Sequence, residues 1–372
     1  MKLIVEKSQL VKALEYVAMA NYKTDLSDDS AIMLSCDNYT LSLIGGNNEN
    51  HIEMTLEAEV EEVGEIIISA TNLDKQIKGF PGKQIMLTGN HEFMYFETSE
   101  DVDDSMKCNM KVTAIESNKF EDYTAMKSAT ILVVNGNTLS SALSAATIAV
   151  DKKSAKDELK NVGIIMEKDI IDFVGFSSKR LSKYSIPTNG SNTLEEGKRF
   201  TMPLPVAKNI AKMFKKGKKD ITIYLEKNKL GNYLRFQNGI VAIYSKILNY
   251  DFPDYSRILK NPADFVVTFS AANLKRVISG LSGMSKADVI VTLTPSENGM
   301  EFSIISDGSK TALAIPCTMT GNKTTLKLVG KDLKEAFSNI SSDSCSLHAV
   351  KNSIYFFKEA KEEYLFLGSF CK

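Results

Sequence analysis

The side chains of this 372-residue chain that could do acid–base, redox or metal chemistry are few and scattered. Three histidines (His51, His91, His348) share no local spacing, and five cysteines (Cys36, Cys108, Cys317, Cys345, Cys371) form no C-x-x-C pair. Metal sites and disulfide frameworks need such clustering, so neither is expected, and reduced thiols suit a cytoplasmic protein. Asp101-Val-Asp-Asp gathers carboxylates, but it reads as part of the acidic loop Glu100–Asp104, and Glu57–Glu65 reads as a second solvated loop. No Gly-rich phosphate loop or G-x-S-x-G elbow is present, and Gly45-Gly46 reads as a strand turn. No catalytic residue, cofactor or metal is therefore expected.

What remains is the chemistry of fixed charge. Six stretches have helical spacing: Ser8–Ala20, Thr71–Phe80, Asn137–Ala149, Pro205–Lys216, Ser270–Gly283 and Gly330–Ile340. Together they hold eleven basic residues, among them Lys78, Lys208, Lys212 and Lys275, against four acidic ones, a net of +7 in a chain that sums to −1. Lysine is a good helix former, which explains its frequency but not the shortage of glutamate, an equally good one. A surface facing phosphates accounts for both, because that attraction is electrostatic and indifferent to base sequence. No aromatic is interleaved with these lysines, so stacking on single strands is not indicated. The run Lys215–Lys219 reads as a solvated basic helix end.

These helices belong to a repeat. Lys2-Leu-Ile-Val-Glu, Thr130-Ile-Leu-Val-Val and Phe265-Val-Val-Thr-Phe are each followed by a helix with one apolar stripe. Ser8, Asn137 and Ser270 stand where an N-cap oxygen is wanted. A second set of strand-helix units begins at Glu65, Arg199 and Thr324, so the chain reads as six half-domains. Short strands with turn signals lie between them, which gives an α+β fold of antiparallel sheet covered by helices. Joints occur at Phe120-Glu-Asp-Tyr and Phe252-Pro-Asp-Tyr, where Pro253 ends a strand pattern. The expected domains are 1–127, 128–260 and 261–372. No apolar run is long enough to cross a bilayer and no signal peptide is read at the N-terminus.

Taken as a whole, the chain resembles the bacterial DNA polymerase III beta subunit, the sliding clamp. Ser245-Lys-Ile followed by Asp251-Phe-Pro-Asp-Tyr-Ser-Arg-Ile is similar to the family's S-K-L…F-P-D-Y-R-R-V, and Lys179-Arg180-Leu181 stands where the family has D-G-H-R-L. The resemblance implies three tandem clamp-type domains that form a ring on dimerisation around duplex DNA. It implies DNA-facing roles for Lys23 and Lys78; Lys208, Lys212 and Lys275 join them from the helix argument. It also implies a groove for partner peptides, from polymerase III alpha subunit and clamp loader, at Phe176, Lys179, Arg180, Leu181, Pro253, Arg257, Ile258, Leu365, Phe366 and Leu367. Two departures stand out. The family's basic pair after the proline of domain two is replaced by Leu204-Pro205. Its usual M-P-M-R-L end is replaced by Leu367-Gly-Ser-Phe-Cys-Lys, which implies an altered peptide preference. The ring contact is expected between Ser105–Val112 and a segment near Leu281–Met284. The alternative is a clamp-like interaction scaffold, possible on a mobile element, that binds peptides without holding DNA.

Overall fold

The computed structural model describes residues 1–20, 31–47, 49–69, 71–99, 102–116, 127–188, 197–215, 219–228, 231–248, 250, 252–281, 289–306, 308–351, 354–359 and 363–371. They fall into two compact units, Met1–Gly136 with Lys212–Ile247, and Asn137–Ala211 with Leu248–Lys372.

The chain opens with β1 (Lys2–Glu6) and α1 (Lys7–Ala18), then β2 (Ala31–Cys36), β3 (Thr40–Gly46), β4 (Asn50–Glu62) and β5 (Gly64–Ser69). After α2 (Leu73–Lys78) come β6 (Gln84–Gly89), β7 (Phe93–Thr98), β8 (Asn109–Thr113) and β9 (Lys127–Asn135). Next are α3 (Gly136–Thr147), β10 (Asn161–Met166), β11 (Ile170–Phe176), β12 (Arg180–Pro187), β13 (Arg199–Pro203) and α4 (Leu204–Phe214). The first unit is completed by β14 (Asp220–Asn228), β15 (Gly231–Asn238) and β16 (Val241–Lys246). The rest is α5 (Ser256–Leu259), β17 (Phe265–Ser270), α6 (Ala271–Gly280), β18 (Ile290–Ser296), β19 (Gly299–Ser306), β20 (Ser309–Ile315), β21 (Thr318–Gly321), β22 (Leu326–Val329), α7 (Gly330–Ser338), β23 (Ser344–Val350), β24 (Ile354–Glu359) and β25 (Tyr364–Ser369).

The six expected helices are α1, α2, α3, α4, α6 and α7, each directly preceded by a strand or nearly so. Their apolar stripes are buried as the spacing dictates: Leu10, Leu14 and Val17 in α1, Leu274 and Val277 in α6, Leu333 and Phe337 in α7. Ser270 caps α6 through the Asn273 amide at 3.3 Å. In α1 the helix starts one residue early, at Lys7, and Ser8 hydrogen-bonds the Glu6 side chain instead of capping.

Two readings of the sequence are corrected. Glu57–Glu62 lies in the thirteen-residue strand β4, not in a loop, and Glu65 lies in β5. The alternation Ile52, Met54, Leu56 buries one face, while the acidic half of the strand points its carboxylates to solvent. Gly45 sits inside β3, not in a turn, because α1 lies against it: a Cβ there would come within 2.5 Å of the Val17 carbonyl oxygen. Gly175 in β11 does the same for α3, with a Cβ falling 1.9 Å from the Ala146 oxygen. The repeat thus extends to the points where helix backbone meets sheet backbone.

In the first unit one sheet path runs β8-β7-β6-β1-β4-β16-β15-β14-β9, with β2, β3 and β5 joined through β3 to β4. β4 pairs antiparallel with β16, and there His51 stacks on Tyr244 at 4.1 Å between ring centroids. Burial pushes the His51 imidazole down to about 3, so it is neutral at physiological pH. In the second unit a nine-stranded sheet runs β13-β10-β11-β12-β25-β24-β23-β17-β21, and a four-stranded one runs β20-β19-β18-β22.

Candidate partner and nucleic-acid interfaces

The second unit's large sheet has two faces with different contents, and strand alternation assigns residues to them. Phe176 pairs with Leu181, Leu181 with Leu367, and Lys183 with Leu365, so these residues share one face. On that face Leu181, Leu365 and Leu367 join Ile165, Val174, Phe356 and Val350 in a single apolar cluster. The segment from Phe252 to Ala263 lies over it, contributing Phe252, Tyr255, Ile258, Leu259 and Ala263.

The local sequence explains this placement. Asp254 Oδ1 accepts the Ser256 amide hydrogen bond at 2.9 Å and starts the short helix α5 just after Pro253. The Phe252 ring packs where Gly163 offers no side chain, and the Phe252 carbonyl accepts from Arg199 Nη1 at 2.9 Å. Tyr255 donates its hydroxyl to Asp172 Oδ2 at 3.1 Å, and Asp172 also receives Ser185 Oγ at 2.6 Å and Lys183 Nζ at 3.0 Å. Burial and the neighbouring Asp172 carboxylate raise the Tyr255 hydroxyl well above its ordinary value, which keeps it a donor. The aromatic residues of the joint motif are therefore anchors. Phe176, Ile258, Leu259 and Ile354 remain half-buried around the cluster and form its accessible apolar surface.

Five of the ten expected groove residues meet here: Phe176, Leu181, Ile258, Leu365 and Leu367. Pro253 is half-buried beside them, and the Arg257 side chain lies outside the described residues. Three do not join. Phe366 pairs with Ser182 on the opposite face and is fully buried, so it is core. Arg180, one residue before Leu181, also points to the opposite face, where its Nη1 meets Asp332 at 3.1 Å and Glu335 at 3.0 Å on α7. Burial lifts both carboxylates above their usual range, with Arg180 opposing the rise. Lys179 is exposed and lines a pocket on that side with Arg180.

The opposite face carries the helices. Ser182 Oγ donates to the Ala145 carbonyl at 2.7 Å and Ser140 Oγ to the Ala211 carbonyl at 2.6 Å, tying α3 to β12 and to α4. Lys208 and Lys212, four residues apart on α4, are both exposed, as are Lys275 on α6 and Lys78 in the last turn of α2. Lys23, and the first joint at Phe120-Glu-Asp-Tyr, lie outside the described residues. Among the described residues no group of three or more His, Cys, Asp or Glu is placed to hold a metal ion. No helix among them is long and apolar enough to cross a membrane.

Comparison with known proteins gives this geometry a context. Residues 1–124 match the family model for the DNA polymerase III beta subunit, N-terminal domain. The beta sliding clamp of Staphylococcus aureus is 19% identical over 294 residues, covering 76% of this chain and 74% of that protein. A beta sliding clamp homolog, GriR, from Streptomyces muensis is 22% identical over 293 residues, covering 77% and 73%. Among solved structures, a putative DNA polymerase III beta subunit from Eubacterium rectale superposes with a TM-score of 0.85 at 17% identity, over 100% of both chains. The sliding clamp of Bacillus subtilis gives 0.85 at 13% identity, over 100% of this chain and 99% of that one. From end to end the chain has the sliding-clamp fold, and its first third matches the family model for the N-terminal domain of the DNA polymerase III beta subunit.

Proposed function

We propose that this protein is a DNA sliding clamp, a processivity factor that closes as a homodimeric ring around duplex DNA and tethers the replicative polymerase. The observation that carries the reading is the clamp fold over the whole length, with the family model matching at the N-terminal domain. The work is topological, not catalytic: a closed ring keeps its DNA without tight contacts, and exposed lysines on α2, α4 and α6 supply a sequence-independent attraction that permits sliding. Three domains, 1–127, 128–260 and 261–372, fit the six half-repeats. Lys23, Lys78, Lys208, Lys212 and Lys275 are the proposed DNA-facing residues.

The apolar cluster with its half-buried residues Phe176, Ile258 and Leu259 is the proposed seat for short peptides of the polymerase III alpha subunit and the clamp loader. For the ring contact, β8 pairs only with β7 and β20 only with β19 among the described strands, so each presents an open edge. An open edge invites pairing with another chain. The expected segment Ser105–Val112 includes most of β8. Leu281 is buried at the end of α6, and residues 282–284 lie outside the described set.

A second reading, an interaction scaffold without DNA tethering, is favoured by Leu204-Pro205 and the changed C-terminus. One experiment separates them. The protein is loaded onto nicked circular duplex, the complex is isolated in salt that abolishes ordinary electrostatic binding, and the circle is linearised. Release on cutting is the expected outcome; absence of any retained complex would sink the clamp reading.

A further inference from the structure

The helix α7 follows β22 without a break, and β22 is an end strand of the four-stranded sheet β20-β19-β18-β22. Arg180 on β12 reaches this helix. A single nitrogen, Nη1, lies 3.1 Å from Asp332 and 3.0 Å from Glu335, two carboxylates one helical turn apart. We propose that Arg180 is a positioning residue for ring closure: by joining β12 to α7 it sets the orientation of the four-stranded sheet, whose far strand β20 presents its open edge to the next subunit. The proposal rests on the sliding-clamp reading and on the use of the β20 edge in the ring contact. Arg180 then acts on the helix-bearing face and not on a partner peptide, whose proposed seat lies on the other face with Leu181.

β12 meets the last part of the chain through β25, in the register Arg180–Gly368 to Tyr184–Tyr364. A strand pair fixes spacing but leaves twist soft, with relative rotations of roughly 10 to 35° in magnitude among proteins. Contacts off the ladder must therefore set the angle. On the apolar face the Phe252–Ala263 segment does so by packing over the cluster, and on the helix face Arg180 makes the link to α7. The arginine side chain is 24% exposed, Asp332 13% and Glu335 27%, so the link is shielded from solvent and stiffer than a surface pair. Gly368 stands opposite Arg180 and leaves room for the Tyr355 ring, since a Cβ there would fall 2.5 Å from Tyr355 Oη. The Cys371 amide donates to the Lys327 carbonyl at 2.9 Å, which fastens β22 to the segment after β25 and makes α7, β22 and β25 one body. That body is what Arg180 orients against β12. β20 lies three strand spacings, about 14 Å, beyond β22. A rotation of about 10°, inside the ordinary spread of twist, shifts that edge by about 2.5 Å, several times the roughly 0.5 Å range of N–H···O distances. A half-buried ion pair thus governs a contact far from it.

The test uses the full-length protein well below its unfolding temperature. Wild type is compared with Arg180→Met, with the neutral triple Arg180→Met/Asp332→Asn/Glu335→Gln, and with Ile164→Val as a buried truncation elsewhere in the same unit. Two quantities are read. One is the half-life of the protein on nicked circular duplex. The other is the distance between spin labels on ketone-bearing residues placed at Lys168 and Thr294, both exposed, in labelled protein diluted with unlabelled copies. Arg180→Met is expected to shorten the half-life roughly tenfold and to shift or broaden the label distance by about 2 Å, while Ile164→Val leaves both as in wild type. The neutral triple strands no charge and regains stability, yet keeps the short half-life and the altered distance. If the half-life returns together with stability in the triple, the ion pairs serve stability alone and the proposal is overturned. An unchanged label distance in Arg180→Met, with wild type retained on circles, overturns the Arg180 role and leaves the clamp reading standing. Failure of wild type to stay on circles sinks the clamp reading and the ring role with it, so the two failures remain separate results.

Discussion

The two faces of the nine-stranded sheet do opposite work with neighbouring residues. One face is apolar and carries a half-open cluster under the Phe252–Ala263 segment; the other carries helices, lysines and the Arg180 ion pairs. β12 supplies both: Leu181 goes to the first and Arg180 to the second, because successive side chains of a strand point to opposite sides. A motif contiguous in sequence can thus serve two surfaces. The Lys-Arg-Leu tripeptide, read as one peptide-binding element, is divided between them.

Substitutions on the apolar face should show the largest effects. Leu367→Ala removes a buried side chain from the cluster and is expected to cost about 3 kcal/mol in urea denaturation, with partner-peptide affinity falling as well. Loss of peptide affinity without loss of stability would mean that Leu367 is a rim residue and not core.

Arg180→Met comes next, at about 2 kcal/mol near neutral pH, because it strands two partly buried carboxylates. The sign of its pH dependence follows from linkage. Arg180 holds down the folded-state values of Asp332 and Glu335, which burial has raised; without it those values rise further. The folded variant then binds protons more tightly than the unfolded chain, so its deficit grows with rising pH and shrinks below about pH 4. A deficit that is constant between acid and neutral pH would show that the pairs carry no net electrostatic stabilisation.

Tyr255→Phe sharpens the contrast from the other face. It leaves Asp172 with Ser185 and Lys183 and removes one hydrogen bond, for an expected loss of about 1 kcal/mol. In the first unit, His51 is held neutral, so stability is expected to fall as pH drops below about 6.5, by up to roughly 1 kcal/mol per pH unit. His51→Phe should flatten that slope. The smallest change in stability belongs to Lys212→Gln, within about 0.5 kcal/mol, while the salt slope of DNA binding falls by about one.

Much of the architecture was legible in the chain itself. Apolar residues at helical spacing and the strand before each helix mark the repeat units, because periodicity is a local property that needs no knowledge of partners. The excess of lysine over glutamate on those helices was equally plain. Tertiary structure alone decided the rest. Glu57–Glu62 is strand because β3 and β16 provide hydrogen-bonding neighbours that its local composition does not announce. Gly45 and Gly175 are required by helix backbones that arrive from about thirty residues earlier in the chain. Phe252 and Tyr255 are anchors because Gly163 and Asp172, some eighty residues before them, open the space and accept the hydroxyl. Alternation says that Arg180 and Leu181 face opposite ways, but not which side meets α7 and which meets α5. That choice belongs to long-range packing, where burial of the leucine and pairing of the arginine are satisfied together.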